Sequence, residues 1–391
     1  MKWIKRGLFG LLGLCALGLI GFWSFAPRIV DAGENPVKPH APYVISDAAE
    51  ALHRDLIIGD WHADSLLWNR SLLKRHDYGH VDVPRLQEGN VAIQVFTAVT
   101  KSPAGLNYEE NAADARDNIT LLAFGQLWPL RTWTSIFERA HYQAERLHEY
   151  AAQAPHDLQV VTTISELDAV LDARSNGDDT VAALLGIEGA HPLEGDIKNL
   201  DRLEAVGYRI IGLQHFFDNE LGGSLHGIGN KGLTDFGRDV VGEVAKRGMV
   251  LDLAHSSQQV AWDVLDITDM PIIVSHTGLH SHCGTKRNFP DPLMQKIAAT
   301  GGVIGMGYWA DVTCDDSPAG VAKAIKAAIA AVGEDAVSLG SDYDGTVTTS
   351  FDTSELAVLT QAMMDAGISE TQIRKVSGGN MLRVLRARLD P

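Results

Sequence analysis

Past residue 45 the chain alternates short apolar runs with helix-length stretches in which apolar positions recur every three to four residues. The runs Leu56–Gly59, Val91–Val99, Val181–Ile187, Tyr208–Leu213, Met249–Leu253, Pro271–Val274, Gly302–Met306 and Ala336–Leu339 have strand composition. They are near-continuous in apolar residues rather than alternating, the pattern of strands buried on both faces of a parallel sheet. Eight such strands in β-α order predict a closed (β/α)8 barrel of the TIM type, with an open doubly wound sheet as the alternative. Ser46 or Asp47 is placed to cap a short helix through Leu52. The segment from Lys101 to about Pro155 reads as helical, with Trp128, Trp133 and Phe137 on a packed face rather than around a ligand.

The beginning of the chain follows a different pattern. Lys2, Lys5 and Arg6 precede Gly7–Ala26, a run with no charged residue that is long enough to span a bilayer. The basic flank predicts a cytoplasmic tail over residues 1–6 and a membrane helix over 7–26, with the rest of the chain on the far side. In a bacterium that is a single-pass inner-membrane protein with a periplasmic domain. Ser24-Phe25-Ala26 resembles a cleavage site, but Pro27 disfavours cutting, and Leu14 before Cys15 argues against a lipoprotein signal. Residues 27–45, rich in Pro, Ala and Gly, read as a linker to a single domain over 46–391.

Composition narrows the function classes. Of 391 residues 45% are hydrophobic and 21% charged, enough for one large core. The formal net charge of −17, with no dense basic cluster, excludes nucleic acid as a partner.

In a barrel of this type chemistry gathers at the carboxyl ends of the strands. Those ends carry His62 and Asp64, two apart and so on one strand face, then Glu188, His215, His255, His276 and Asp342. Singly each has an ordinary explanation: a satisfied core histidine, a capping carboxylate, a turn former before Gly345. Together they form a set of imidazoles and carboxylates suited to Zn²⁺, although manganese or cobalt would accept the same donors. Five ligand candidates exceed the needs of one catalytic zinc and fit two sharing a carboxylate and a bridging hydroxide. On this reading His62 and Asp64 hold one metal, His255 and His276 the other, and Glu188 bridges them. Asp342 is left to accept a proton from water and pass it to a leaving amine.

The chain resembles the membrane dipeptidase (renal dipeptidase) family of zinc peptidases, relatives of the amidohydrolase barrels. The stretches that carry the resemblance include Asp60-Trp61-His62-Ala63-Asp64, Gly186-Ile187-Glu188-Gly189-Ala190-His191, Leu251-Asp252-Leu253-Ala254-His255-Ser256, Ser275-His276-Thr277, Arg287-Asn288-Phe289-Pro290-Asp291 and Gly340-Ser341-Asp342-Tyr343-Asp344-Gly345. The resemblance implies hydrolysis of dipeptides, L,L and in part L,D, with two Zn²⁺ per chain and a tendency to homodimers. It implies the same ligand set: His62, Asp64, Glu188, His255 and His276. It adds His215 as a hydrogen-bond donor to the oxyanion and Arg287 as the holder of the substrate carboxylate, a residue that by itself reads as a loop ion pair. It also implies a disulfide between Cys283 and Cys314, which an oxidising compartment allows.

Departures from the family pattern fall on loops that border the pocket. Phe96-Thr97-Ala98 stands where Trp-Ser is common, and Phe216-Phe217-Asp218-Asn219-Glu220 is bulky and acidic. The alternative function keeps the metals and hydrolyses N-acyl amino acids or lactam-type amides. A decayed, non-enzymatic binding protein is disfavoured because no ligand is substituted. Of the remaining histidines, His76, His80, His191, His226, His280 and His282 read as solvated or as supports, and Asp60 or Asp344 is a candidate to orient a ligand imidazole.

Overall fold

The computed structural model describes residue 18 and residues 21–390. Nine strands form one all-parallel sheet: β1 (Ile58–Ala63), β2 (Val91–Val99), β3 (Leu158–Val160), β4 (Val181–Glu188), β5 (Tyr208–Gly212), β6 (Val250–Asp252), β7 (Ile272–Thr277), β8 (Val303–Met306) and β9 (Val337–Leu339). Pairing of β2 with both β1 and β4, and of β1 with β9, closes eight of them into a barrel. The eight expected strands are these eight. The ninth, β3, is absent from the sequence reading because three residues are too few to show a period. It pairs with residues 181–183 of β4, while β5 pairs with 185–187, so it covers the length of β4 that β5 leaves free.

The period of two along β4 shows how the core is divided. Val181, Ala183, Leu185 and Ile187 point outward into the large core shared with the helices. Ala182 and Leu184 point inward and meet Ile210, Val250, Ile273 and Val303 from the other strands. The C-terminal helix, Asn380–Arg388, joins this inner cluster through Met381, Val384 and Leu385 and fills one end of the barrel. The next inward position of β4 is Gly186, where a Cβ would approach Thr97 and Val95 at 3.1 Å. The one after that is Glu188, which therefore emerges from the packed interior at the carboxyl end.

The segment after β2 departs from the helical expectation. Residues 101–118 run without a helix and pass over the carboxyl end, and helices follow at Ile119–Gly125 and Ile136–Gln153. Trp128 and Phe137 are buried, and Trp133 packs against the cluster around Trp128, so these aromatics are core residues as expected.

Residues 1–17, 19 and 20 of the expected tail and membrane helix lie outside the described residues, and among those described no helix is long and apolar enough to cross a membrane. The stretch expected as a linker is in part helical: residues 21–34 form a helix, and an extended strap follows. Val37 in the strap bridges to Thr349 beyond β9, and Thr346 N donates to the Asn35 side chain at 2.9 Å. Asp31 is buried against Arg70 at 2.6 Å, and Arg70 also pairs with Asp344. The beginning of the domain is thereby tied to the loop that carries Asp342.

Cys283 and Cys314 are joined by a disulfide. It links the loop after β7, which carries Arg287, to the segment after β8. Closing a loop of that sequence separation, 31 residues, stabilises by roughly 3–4 kcal/mol in the chain-entropy account. The double variant Cys283→Ala, Cys314→Ala is therefore expected to lose about that much stability in guanidinium titration. An unchanged midpoint would show that the bond constrains nothing in the unfolded chain.

Candidate metal centre

Each site residue stands at a strand end, and local backbone features aim it. The ladder slips register between Asp60 and Ala63 in β1 and between Val274 and Thr277 in β7, where His62 and His276 lie. Such irregularities re-aim side chains that a regular pleat would send to the other face. His255 and Asp342 adopt left-handed backbone, φ +63° and +60°, which costs a residue with a Cβ and is held here by the surrounding loops. None of this is visible in residue types.

All seven strand-end residues are buried and brought together. Glu188 Oε1 lies 3.2 Å from His255 Nε2, 3.3 Å from His276 Nε2 and 3.5 Å from His62 Nε2. Glu188 Oε2 faces His215 Nε2 at 3.4 Å. His62 Nε2 is also 3.3 Å from Asp64 and 3.9 Å from Asp342, and the Nε2 atoms of His255 and His276 are 2.9 Å apart. Three overlapping groups have the spacing of a metal shell: His62 with Asp64 and Glu188, Glu188 with His215 and His255, and His62 with His276 and Asp342.

The electrostatics identify what the cluster lacks. Burial, with the charge of Arg287 and neighbouring imidazoles adding to it, holds His255 and His276 well below the usual histidine range, so both are neutral. Burial opposes protonation of His62 as well, but Glu188 and Asp64 outweigh it and hold His62 up at about 10. Burial lifts Asp342 to about 8, opposed by His62 and reinforced by Asp64. His62 Nε2 and Glu188 Oε2 are buried with no hydrogen-bond partner. Lone pairs thus converge from several sides on a space with too few protons to satisfy them. A cation relieves all of these oppositions at once, and the donor set of imidazole nitrogen and carboxylate oxygen fits one.

Supporting contacts fix the donors. Ser275 Oγ lies 2.8 Å from His276 Nδ1 and donates to Asp252, a relay that orients the ring. Thr97 donates to Asp64, so the departure at Phe96-Thr97-Ala98 retains a hydroxyl that positions a candidate ligand. Asp60 accepts from the backbone N–H groups of His62 and Ser341 at 3.1 and 2.9 Å, and Asp344 takes Arg70, His80 and Ser65. Neither carboxylate reaches an imidazole of the cluster; Asp252, through Ser275, holds that place. A lone Asp inside the apolar run Met249–Leu253 was the available signal.

Arg287 is 1% exposed and so is no surface ion pair. Its Nη2 donates to the His276 carbonyl at 2.7 Å and lies 3.2 Å from His255 Nε2. Among the described residues no carboxylate lies within ion-pair distance of it, and its Nε has no partner. His215 Nδ1 faces the Lys101 carbonyl at 3.2 Å, leaving Nε2 toward the cluster, and burial lowers its pKa to about 4. In the acidic loop, Asp218 pairs with Lys231 at 2.8 Å, while Phe216 lines the cleft beside His255. His80, His191 and His226 are buried rather than solvated; His226 stacks on Phe216 with centroids 4.7 Å apart.

A family model described as membrane dipeptidase (Peptidase family M19) matches residues 46–389. Dipeptidase aclJ of Aspergillus oryzae is 27% identical over 83% of this chain and 76% of its own length. Dipeptidase tcpJ of Claviceps purpurea is 27% identical over 79% of this chain and 69% of its own. Among solved structures, a metallo peptidase from Rhodobacter sphaeroides, liganded with a phosphinate mimic of L-Ala-D-Ala, superposes with a TM-score of 0.68 at 23% identity, covering 85% of this chain and 99% of its own. The probable dipeptidase PvdM of Pseudomonas aeruginosa gives 0.70 at 19% identity over 87% and 97%. These two share the fold; the family match spans nearly the whole domain and every residue of the cluster. The chain belongs to the membrane dipeptidase family, Peptidase family M19, and is a metallo-dipeptidase.

Proposed function

We propose that the protein hydrolyses dipeptides, L,L and in part L,D, at a centre of two Zn²⁺ ions. The observation that carries this reading is the convergence on one carboxylate oxygen, Glu188 Oε1, of three imidazole Nε2 atoms with two further carboxylates beside them. His62, Asp64 and Glu188 would hold one ion, and Glu188, His255 and His276 the other. Such a pair supplies a nucleophilic water at neutral pH and polarises the scissile carbonyl.

The chain's own residues do the rest. Arg287, buried and without a carboxylate partner, takes the free carboxylate of the substrate through its planar fork. That contact selects short substrates, because a peptide extended at its C-terminus brings no charge to the place where Arg287 lies. His215 keeps Nδ1 on the Lys101 carbonyl and turns Nε2 toward the place of the oxyanion; the ring is neutral in the free protein, and the negative charge that develops there raises its affinity for the proton that Nε2 needs in order to donate. Asp342 takes a proton from the attacking water and delivers it to the leaving amine. The basic flank and the uncharged run Gly7–Ala26 support a single-pass inner-membrane anchor with the barrel in the periplasm.

Two measurements test these assignments. The purified protein is expected to carry two zinc ions per chain and to release amino acids from a panel of L,L- and L,D-dipeptides. Asp342→Asn is expected to lower kcat/KM by about 10²–10⁴ with both metals retained; two metals but no dipeptide cleavage would turn the assignment to N-acyl or cyclic amides. Ser275→Ala breaks the relay to Asp252 and is expected to weaken zinc affinity by about 10–100-fold in chelator competition. An unaltered zinc affinity would show that Ser275 does not orient His276.

A further inference from the structure

The loop after β9 that carries Asp342 has a backbone that its residue types alone do not favour. Asp342, Asp344 and Thr346, at every second position, have φ of +60°, +64° and +61°, a region that a β-branched residue such as Thr rarely enters. Such conformations persist only where neighbouring contacts over-determine them. The barrel's own contacts hold the loop as far as Asp344: Asp64 N donates to the Tyr343 carbonyl at 2.9 Å, Trp68 Nε1 to the Asp344 carbonyl at 2.7 Å and His80 N to the Asp344 side chain at 2.7 Å. Over 346–349 the backbone hydrogen bonds, among the described residues, go to the strap instead. Thr346 N donates to Asn35 Oδ1 at 2.9 Å, Thr349 N donates to the Pro36 carbonyl at 3.2 Å, and the Thr349 carbonyl accepts from Lys38 N at 2.8 Å.

The residues that make these contacts precede the family match, which begins at residue 46, yet two of them are buried like core residues: Asp31 is 2% exposed and Asn35 0%. One amide serves both directions. Asn35 Nδ2 donates to Asp31 Oδ1 at 2.9 Å while its Oδ1 accepts from Thr346 N. Asp31 in turn accepts from Arg70 Nη1 at 2.6 Å, and the other end of that buried guanidinium pairs with Asp344. The strap therefore reaches the loop by two routes, on either side of Gly345. Burying two polar side chains of a connecting segment costs their hydration, and these hydrogen bonds are what offset it.

We propose that Asp31 and Asn35 are positioning residues for Asp342, so that a segment before the family's own boundary completes the active site. They clamp the loop at Asp344 and at Thr346 and thereby fix the direction in which Asp342, held in left-handed backbone, presents its carboxylate to the metal centre. This rests on the dipeptidase reading, in which Asp342 moves the proton. A group that transfers a proton in the transition state is sensitive to its placement, and an error of about 1 Å costs on the order of 10²-fold in rate. The rate of hydrolysis is in this way coupled to the path the chain takes as it leaves the 21–34 helix.

The test uses the full-length, zinc-loaded protein and a panel of dipeptides, with kcat, KM, zinc content and thermal unfolding measured together. Asn35→Ala is expected to lower kcat by about 10–100-fold, with KM within about twofold and zinc content unchanged. In the Asp342→Asn background the same change is expected to lower kcat no further, because its effect passes through Asp342. Asn35→Asp sets two carboxylates side by side and is expected to be impaired. The exchange Asp31→Asn, Asn35→Asp remakes the hydrogen bonds with donor and acceptor reversed and is expected to recover most of kcat. Arg28→Ala, which breaks an exposed pair between the same helix and Asp77, is expected to leave kcat unchanged. Should Asn35→Ala fail to fold, Asn35→Ser is read in its place. A fall in unfolding temperature with kcat unchanged, losses that add to those of Asp342→Asn, or an exchange that recovers nothing overturns the positioning role and leaves the dipeptidase reading intact. If the unaltered protein cleaves no dipeptide, the dipeptidase reading fails and this inference fails with it.

Discussion

A buried carboxylate surrounded by imidazoles without enough protons to share is an arrangement that a folded chain does not hold for its own stability. Glu188 is driven toward its neutral form by burial and by the charges of Asp64 and Asp342, with His62 and Arg287 opposing. Much of the surrounding structure counters the tendency of these groups to move apart. The register slips in β1 and β7, the left-handed backbone at His255 and Asp342, and the hydroxyls of Thr97 and Ser275 each remove a freedom by which a donor could turn away. Local strain persists only where neighbouring contacts over-determine the conformation, and here those contacts are specific and named.

The barrel and the seven clustered residues were legible in the sequence because both rest on simple periodicities. Apolar runs buried on two faces give the strands, and residues just past each run fall at one end. What escaped was fixed by geometry rather than residue type. The strand Leu158–Val160 is too short to show a pattern, and the segment 101–118, rich in polar residues, gives no sign that it crosses the site. Asp60 and Asp344 are the sequence's candidates to orient an imidazole, and Asp252, through Ser275, holds that place instead, because residue type does not distinguish the three and only the fold decides which one reaches a ring. Arg287 by itself reads as a loop ion pair and only the resemblance marks it out; its burial, with Nη2 on the His276 carbonyl, is a feature of the folded loop that residue type does not show.

The carboxylates near Asp342 show how adjacent, similar residues come to differ. Asp342 is pushed up by burial, with Asp64 adding to it and His62 and Arg287 opposing without reversing it, whereas Asp344, equally buried, is held far below the usual range by Arg70 and His80. One therefore keeps an affinity for protons while the other is a fixed charge. Their separation by a single residue lets the fixed charge anchor the loop and leaves the titrating one free to face the cleft.

The anchor of that loop has a kinetic side. Asp344 is held by Arg70, and Arg70 by Asp31 at the end of the first helix, so the loop bearing Asp342 is tied to the opposite end of the chain. Contacts of such long sequence separation form late, after the loop-closure entropy of nearly the whole chain has been met. During vectorial synthesis the first helix emerges long before its partners exist. The cleft is accordingly incomplete in every partly made chain, and hydrolytic competence arrives with the last strand rather than growing by degrees.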